Sequence, residues 1–224
     1  ASKLCGWLMC PPSDEPVPVV IIMGGFDGWR EEYYPGAKAL VDRGLAAFLV
    51  DGPGQGETRL FHRLYLDTSF PDAFATIAEY LRTQCAAGPQ LGIWGNSFGG
   101  FLAAKTVAAY PEQFDALCVN GGTVRPLELP ERYPRFFEKV EALLGTTDIH
   151  AAREVMNQLD LRTDAAMINC PLLQLHSTPD QVFLLENARL VHDLATSADK
   201  QLLIWEDGDH CIYNHSEEKN AIVA

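Results

Sequence analysis

Gly95-Asn96-Ser97-Phe98-Gly99 fits the pattern G-x-S-x-G. A β-rich run ends at Trp94 and a run of small apolar residues begins at Phe98. Ser97 therefore stands on the turn between a buried strand and a buried helix. Such a turn presents a serine hydroxyl for nucleophilic attack, and it is so tight that its flanks two residues away must be nearly free of side chain. Gly95 and Gly99 meet that demand, and Gly100 eases close helix packing. The competing reading is a glycine-rich turn with an incidental serine.

A serine nucleophile needs a base. The histidines are 62, 150, 176, 192, 210 and 215. With this kind of turn the base lies after the last strand, and only His210 and His215 follow the last β-rich run, 201–205. His210 sits in the short polar loop Glu206-Asp207-Gly208-Asp209-His210, whereas His215 falls where a last helix should begin. His210 is the stronger candidate. The orienting carboxylate is read as Asp180, in His176-Ser177-Thr178-Pro179-Asp180 at the carboxyl end of the run 172–176. Asp207 and Asp209 are rival acids, too close in sequence to His210 to face its ring. The bland reading of Asp180 is a helix N-cap. Acyl chemistry also needs an oxyanion hole. The backbone N–H of Phe98, next to the nucleophile, is one expected donor. The N–H of Phe26, in Gly24-Gly25-Phe26-Asp27-Gly28, is the other. Two aimed amides are worth ~3 kcal/mol each to a transition state. A plain glycine turn is the alternative for that loop.

These residues must be held by something. Nearly continuous apolar runs at 17–23, 45–50, 90–94, 116–119, 172–176 and 201–205 read as strands buried on both faces. Helical patterns lie between them at 31–43 (closed by Gly44), 72–85, 98–110 and 184–195, with a last one after His215. The alternation predicts an α/β fold: a mostly parallel sheet with helices on both faces. Residues 123–168 break the rhythm with Pro126, Pro130 and Pro134, then helical patterns at 136–144 and 151–159. They read as a small helical lid over the ligand end of the sheet, with a surface excursion as the bland alternative. Trp29, Tyr33, Phe101, Tyr133 and Phe136 are candidates for an aromatic pocket, core packing being the commoner fate of such residues. Asp51-Gly52-Pro53-Gly54-Gln55-Gly56-Glu57 resembles a phosphate-cradling loop only superficially, since it lacks the Gly-Lys-Ser/Thr ending. It is read as a turn that braces the active-site end. Glu31 and Glu32 favour a helix start and are assigned no catalysis.

The 224 residues hold 47% apolar and 21% charged side chains, which excludes disordered and collagen-like classes. With 17 Lys plus Arg against 30 Asp plus Glu, the net charge of −13 argues against nucleic acid or an anionic membrane as partner. A small organic substrate fits better. No apolar run approaches the ~18 residues of a membrane span, and no signal peptide is visible. Cysteines at 5, 10, 85, 118, 170 and 211 fit no zinc or CxxC spacing. Reduced thiols and a cytoplasmic location are the expectation. The opening Ala1-Ser2-Lys3-Leu4, without Met, reads as a boundary rather than a native terminus.

Together these residues resemble the α/β-hydrolase superfamily over nearly the whole chain, and the order Ser97, Asp180, His210 is the order of that fold. The stretches VIIMGGFDGWREEY (20–33) and FLVDGPGQGE (48–57), with Gly208-Asp209-His210-Cys211, are similar to the FrsA-like branch. That branch includes dihydroxypseudooxynicotine hydrolase and fungal polyketide-shortening hydrolases. The resemblance implies one α/β-hydrolase core over 1–224, lacking the helical segment that members carry ahead of it and cut within its last helix. It implies a serine hydrolase without metal or organic cofactor, acting on an ester or on the C–C bond of a β-diketone-like compound. Several relatives form homodimers. FrsA itself is associated with protein binding, so a regulatory binding module of the same fold is the alternative. A peptidase of this fold is a third reading, disfavoured because no propeller precedes the core.

Overall fold

The computed structural model describes residues 3–84 and 87–224. Among them seven strands form one sheet in the order β1-β3-β2-β4-β5-β6-β7. They are β1 (Cys5–Met9), β2 (Val17–Met23), β3 (Ala46–Asp51), β4 (Ala87–Asn96), β5 (Ala116–Asn120), β6 (Leu172–Ser177) and β7 (Lys200–Trp205). All neighbours pair in parallel except β1, which runs antiparallel to β3. The six expected strands are present, β4 beginning earlier than its apolar run. Strand β1 is an addition to them. Its run Cys-Gly-Trp-Leu-Met is apolar but only five residues long, and it lies half-exposed on the sheet edge.

The strands alternate their faces. Val19, Ile21 and Met23 of β2 enter one apolar core with Ile93 of β4 and Val119 of β5. Ile22, Trp94 and Cys118 enter a second core on the opposite face. Helices α1 (Tyr34–Val41) and α9 (Ser216–Val223) pack on the second core, through Ala37, Leu40 and Val223. The first core is covered by α3 (Phe70–Gln84), α4 (Phe98–Ala109) and α8 (Leu185–Leu194). Helix α4 is buried almost all round, which is why its sequence shows no polar face.

The expected helix 31–43 is a tight turn, Arg30–Tyr33, followed by α1, with Pro35 in the first turn of α1 where no N–H is needed. Gly44, at φ 84°, serves the turn after that helix rather than its last residue. The expected end of helix 72–85, Cys85, lies outside the described residues. Helix α2 (Gly56–His62) is a second addition. It leaves Leu60 and Phe61 exposed, so it shows no buried stripe. Residues 123–168 contain α5 (Glu128–Arg132), α6 (Phe137–Leu144) and α7 (Ile149–Gln158). Asp148 caps α7, its carboxylate accepting from the His150 and Ala151 amides at 2.9 and 3.2 Å. Phe137, Val140, Leu143 and Met156 join the same apolar core as α4. From β2 the chain crosses outward to β3, then returns to β4 on the other side of β2. The order of the strands reverses there, and open α/β sheets leave a crevice for ligands at the carboxyl ends of such strands.

Candidate active site

Strand β4 ends at Asn96 and α4 starts at Phe98, so Ser97 alone makes the turn. Its backbone sits at φ 59° and ψ −129°, a region that L-residues avoid. Two hydrogen bonds hold it there: the Ser97 N–H donates to Asn120 O, and the Gly100 N–H donates to Ser97 O, both at 2.8 Å. The glycines are required by contact. A Cβ on Gly95 would strike the Gly99 and Gly100 backbone, and one on Gly99 would strike Gly24 O.

His210 lies on a loop after β7 that is tied down from several sides. The Asp209 carboxylate accepts from the Tyr213 and Asn214 amides, at 2.5 and 3.2 Å. The Ser177 hydroxyl donates to Asp209 O at 3.0 Å. Cys211 and Ile212 take left-handed conformations, and Cys211 O accepts from Asn120 Nδ2 at 3.0 Å and from the Lys219 ammonium at 3.2 Å. So held, His210 brings Nε2 to 2.8 Å from Ser97 Oγ and Nδ1 to 2.8 Å from Asp180 Oδ2. The other Asp180 oxygen accepts from the Val182 and Phe183 amides at 2.7 and 3.3 Å. One carboxylate thus shapes its own loop and aims the imidazole. With the Nδ1 proton directed at Asp180, Nε2 is left to accept from the serine.

The three expected residues therefore meet in one hydrogen-bonded chain. The rival acids do not reach it: Asp209 caps its own loop, and Asp207 pairs with His215 at 3.1 Å. His215 sits at the entry to α9 and does not line the cleft that holds Ser97. Phe26 and Phe98 stack face to face, with ring centroids 4.3 Å apart, and so tie the two expected oxyanion donors together. Phe98 opens α4, where a helix leaves its amide without an internal partner. The Phe26 amide donates to no acceptor among the described residues.

Sequence reasoning gave no role to His176. It is buried, with Nε2 2.9 Å from Phe183 O and 3.8 Å from Asp180 Oδ2, so Asp180 lies between two imidazoles. Burial above all keeps His176 below the ordinary histidine range. Burial works against the Asp180 carboxylate, but the His210 hydrogen bond and charge, with His176 and the Val182 amide, carry it below the usual range. Burial also opposes a charged His210. The Cys211 sulfur, 3.5 Å from Nε2, and the Asp180 carboxylate outweigh that and raise it.

The cleft above Ser97 has a volume of about 260 Å³ and is lined by Phe26, Tyr33, Phe136, Lys139 and Tyr213, among others. Asp27 and Lys139 form an ion pair at its rim, joining the glycine loop to α6. Of the expected aromatic set, Tyr33 and Phe136 line this cleft. Phe101 is core, stacked on Phe98, while Trp29 and Tyr133 are exposed. A larger hollow, about 350 Å³, lies toward the amino ends of the strands against Leu40, Trp94 and Val223. Among the described residues it brings no nucleophile and base together, whereas Ser97 and His210 both line the smaller cleft. Among the described residues no helix is long and apolar enough to cross a membrane.

Residues 32–223 match the family model of the prolyl oligopeptidase family. The 2,6-dihydropseudooxynicotine hydrolase of Paenarthrobacter nicotinovorans is 29% identical over 217 residues, covering 93% of this chain and 56% of that protein. The esterase FrsA of Shigella dysenteriae serotype 1 is 25% identical over 225 residues, covering 90% of this chain and 50% of that protein. The crystal structure of a 2,6-dihydroxy-pseudo-oxynicotine hydrolase superposes with a TM-score of 0.88 at 26% identity, over 98% of this chain and 62% of that one. Est1E from Butyrivibrio proteoclasticus shares the fold, with a TM-score of 0.76 at 18% identity over 99% of this chain and 91% of that one. The chain thus spans about half the length of the curated relatives it matches along most of its own.

Proposed function

Because the chain belongs to the prolyl oligopeptidase family and has the α/β-hydrolase fold, we propose that it is a serine hydrolase of small organic carbonyl compounds. The bond opened is an ester, or the C–C bond of a β-diketone-like compound. The reading rests on one observation: Ser97 Oγ, His210 and Asp180 Oδ2 in line, with 2.8 Å at each step.

The steps follow from that line. Ser97 Oγ attacks the carbonyl carbon while its proton passes to His210 Nε2. Asp180 accepts from Nδ1–H throughout and stabilises the imidazolium. The new oxyanion takes hydrogen bonds from the Phe26 and Phe98 amides. His210 then protonates the leaving atom: oxygen for an ester, carbon for a β-diketone. The latter leaves as a carbanion and needs a neighbouring carbonyl to carry its charge. Water, deprotonated by His210, frees the acyl group. Helices α5 and α6 and the turn between them supply Leu129, Phe136 and Lys139 to the cleft, which supports reading 123–168 as the lid that shapes substrate choice. The cleft volume suits a small molecule.

The test is labelling with a serine-directed fluorophosphonate and peptide mapping, beside panels of p-nitrophenyl esters and β-diketones. Labelling at Ser97 and turnover in one panel are expected. A folded sample that neither labels nor turns over would leave the regulatory binding reading.

The pH dependence has a definite sign. Catalysis needs neutral His210, and the folded site raises its pKa above the ordinary 6.5. The acid limb of kcat/KM is therefore expected above pH 6.5. Stability runs the other way. The His210 contribution is full below pH 6.5 and is lost as pH climbs through the raised value. The Asp180 contribution is present above its unfolded value of ~3.9 and is lost as pH falls through the lowered one. A wild-type limb at or below 6.5 would contradict this account.

A further inference from the structure

The loop Asp51–Glu57 is not used by the steps above, yet one of its side chains reaches the oxyanion loop. Gln55 is buried at 2% exposure. Its Oε1 accepts from the Gly52 N–H at 2.9 Å, which folds the side chain back beneath the end of β3. Its Nε2 donates to Gly24 O at 2.6 Å and to Gly25 O at 2.9 Å. Both amide protons and the carbonyl are thus spent on backbone, and two of the three bonds go to the loop after β2.

The second of those bonds determines where the Phe26 amide points. In a planar trans peptide the carbonyl of one residue and the N–H of the next lie on opposite sides. Gln55 holds the Gly25 carbonyl on its own side, so the Phe26 N–H faces the other way. That other side is the nucleophile's. A Cβ built on Gly25 would stand 2.8 Å from Ser97 Cβ, and Gly25, Phe26 and Ser97 line the same cleft. Glycine at 24 and 25 offers no side chain to hold the peptide, and among the described residues no other hydrogen bond reaches the Gly25 carbonyl.

Gln55 is itself held from behind. The Asp51 carboxylate accepts from the Arg30 N–H at 2.9 Å, from Arg30 Nη1 at 2.6 Å and from the Glu57 N–H at 3.0 Å. Arg30 also pairs with Glu57. This network joins the segment after Gly28 to both ends of the Gln55 loop.

We propose that Gln55 is a positioning residue of the oxyanion hole: it orients the Gly25–Phe26 peptide so that the Phe26 amide can stabilise a tetrahedral intermediate formed on Ser97. The proposal rests on the serine-hydrolase reading. Gln55 touches no substrate and acts only through the Phe26 amide.

Two variants test it. Gln55→Met keeps the length and removes every hydrogen bond. Gln55→Glu keeps the shape and, as a neutral acid, one donor. The readouts are the Ser97 phosphonylation rate with a fluorophosphonate, inhibition by a trifluoromethyl ketone that adds to Ser97, KM for p-nitrophenyl acetate, and thermal melting. Gln55→Met should slow labelling about 10- to 100-fold and weaken the ketone by the same factor, with KM changed less than about threefold. Gln55→Glu should be intermediate at low pH and decline toward Gln55→Met as pH rises and the acid ionises, while the wild type accelerates. Labelling within about twofold of wild type in both variants would overturn the proposal. So would a loss confined to KM, or a loss of cooperative melting in both, which would make Gln55 a prop of the whole fold. Wild-type protein that does not label removes the serine-hydrolase reading itself, a different failure.

Discussion

Replacing Ser97 with Ala is expected to abolish fluorophosphonate labelling and to cut turnover about a million-fold, the scale seen when a triad nucleophile is lost. The protein should still fold. Among the described residues the Ser97 hydroxyl bonds only to His210, and the turn is held by backbone bonds to Asn120 and Gly100, which alanine keeps. Ser97→Gly sharpens the test. A non-glycine residue at φ 59° stores strain of ~1 kcal/mol or more. Glycine should therefore raise the melting temperature while it removes activity. Stability and activity would then move in opposite directions at one residue, as they do where strain serves a site. Turnover by Ser97→Ala above a thousandth of wild type would mean that another group attacks the substrate.

Asp180→Asn should lower kcat by about ten-thousand-fold with the backbone intact. The substituted amide would keep an acceptor for the Val182 and Phe183 amides by placing its oxygen there, so the loop should survive. Its NH2 would then face His210 Nδ1. Two donors cannot pair, so the imidazole would move its proton to Nε2, where it can no longer accept from Ser97. The raised His210 pKa should also fall, since the Asp180 charge and hydrogen bond are among its causes. Asp207→Asn is the control. Its partner is His215, and no loss beyond about twofold is expected. A small loss at Asp180 beside a large one at Asp207 would reverse the assignment of the acid.

Much of this site is legible without coordinates because each of its parts sits next to a strong local signal. G-x-S-x-G lies between a buried strand and a buried helix. Asp180 and His210 each follow the end of a strand, and a parallel sheet brings all such ends to one edge. The choice of Asp180 over Asp207 and Asp209 rested on its place after the run 172–176, on the order Ser97, Asp180, His210, and on the nearness of the two rivals to His210 in sequence. Strand β1 and helix α2 were not legible for the opposite reason. Cys5–Met9 is a strand because the edge of β3 has hydrogen bonds to give, and Gly56–His62 is a helix although Phe61 is 74% exposed. The first is apolar but only five residues long, and the second carries no apolar period. The aromatic residues divide in the same way. Phe101 and Phe136 look alike in sequence, yet one is core and the other lines the cleft.

Patterns a few residues long carry the alternation of strand and helix, the strained serine turn and the placing of Asp180 and His210 after strands, so all of these can be read from the chain unaided. Contacts that span many residues emerge only on folding: Gln55 against the Gly25 carbonyl, His176 beside Asp180, Asn120 under Cys211, and the Asp27–Lys139 pair across the cleft. A side chain's period along its own element says which face it takes, but not which backbone carbonyl will be waiting there. That depends on how the loops from β2, β3 and β5 are brought together once the sheet has formed.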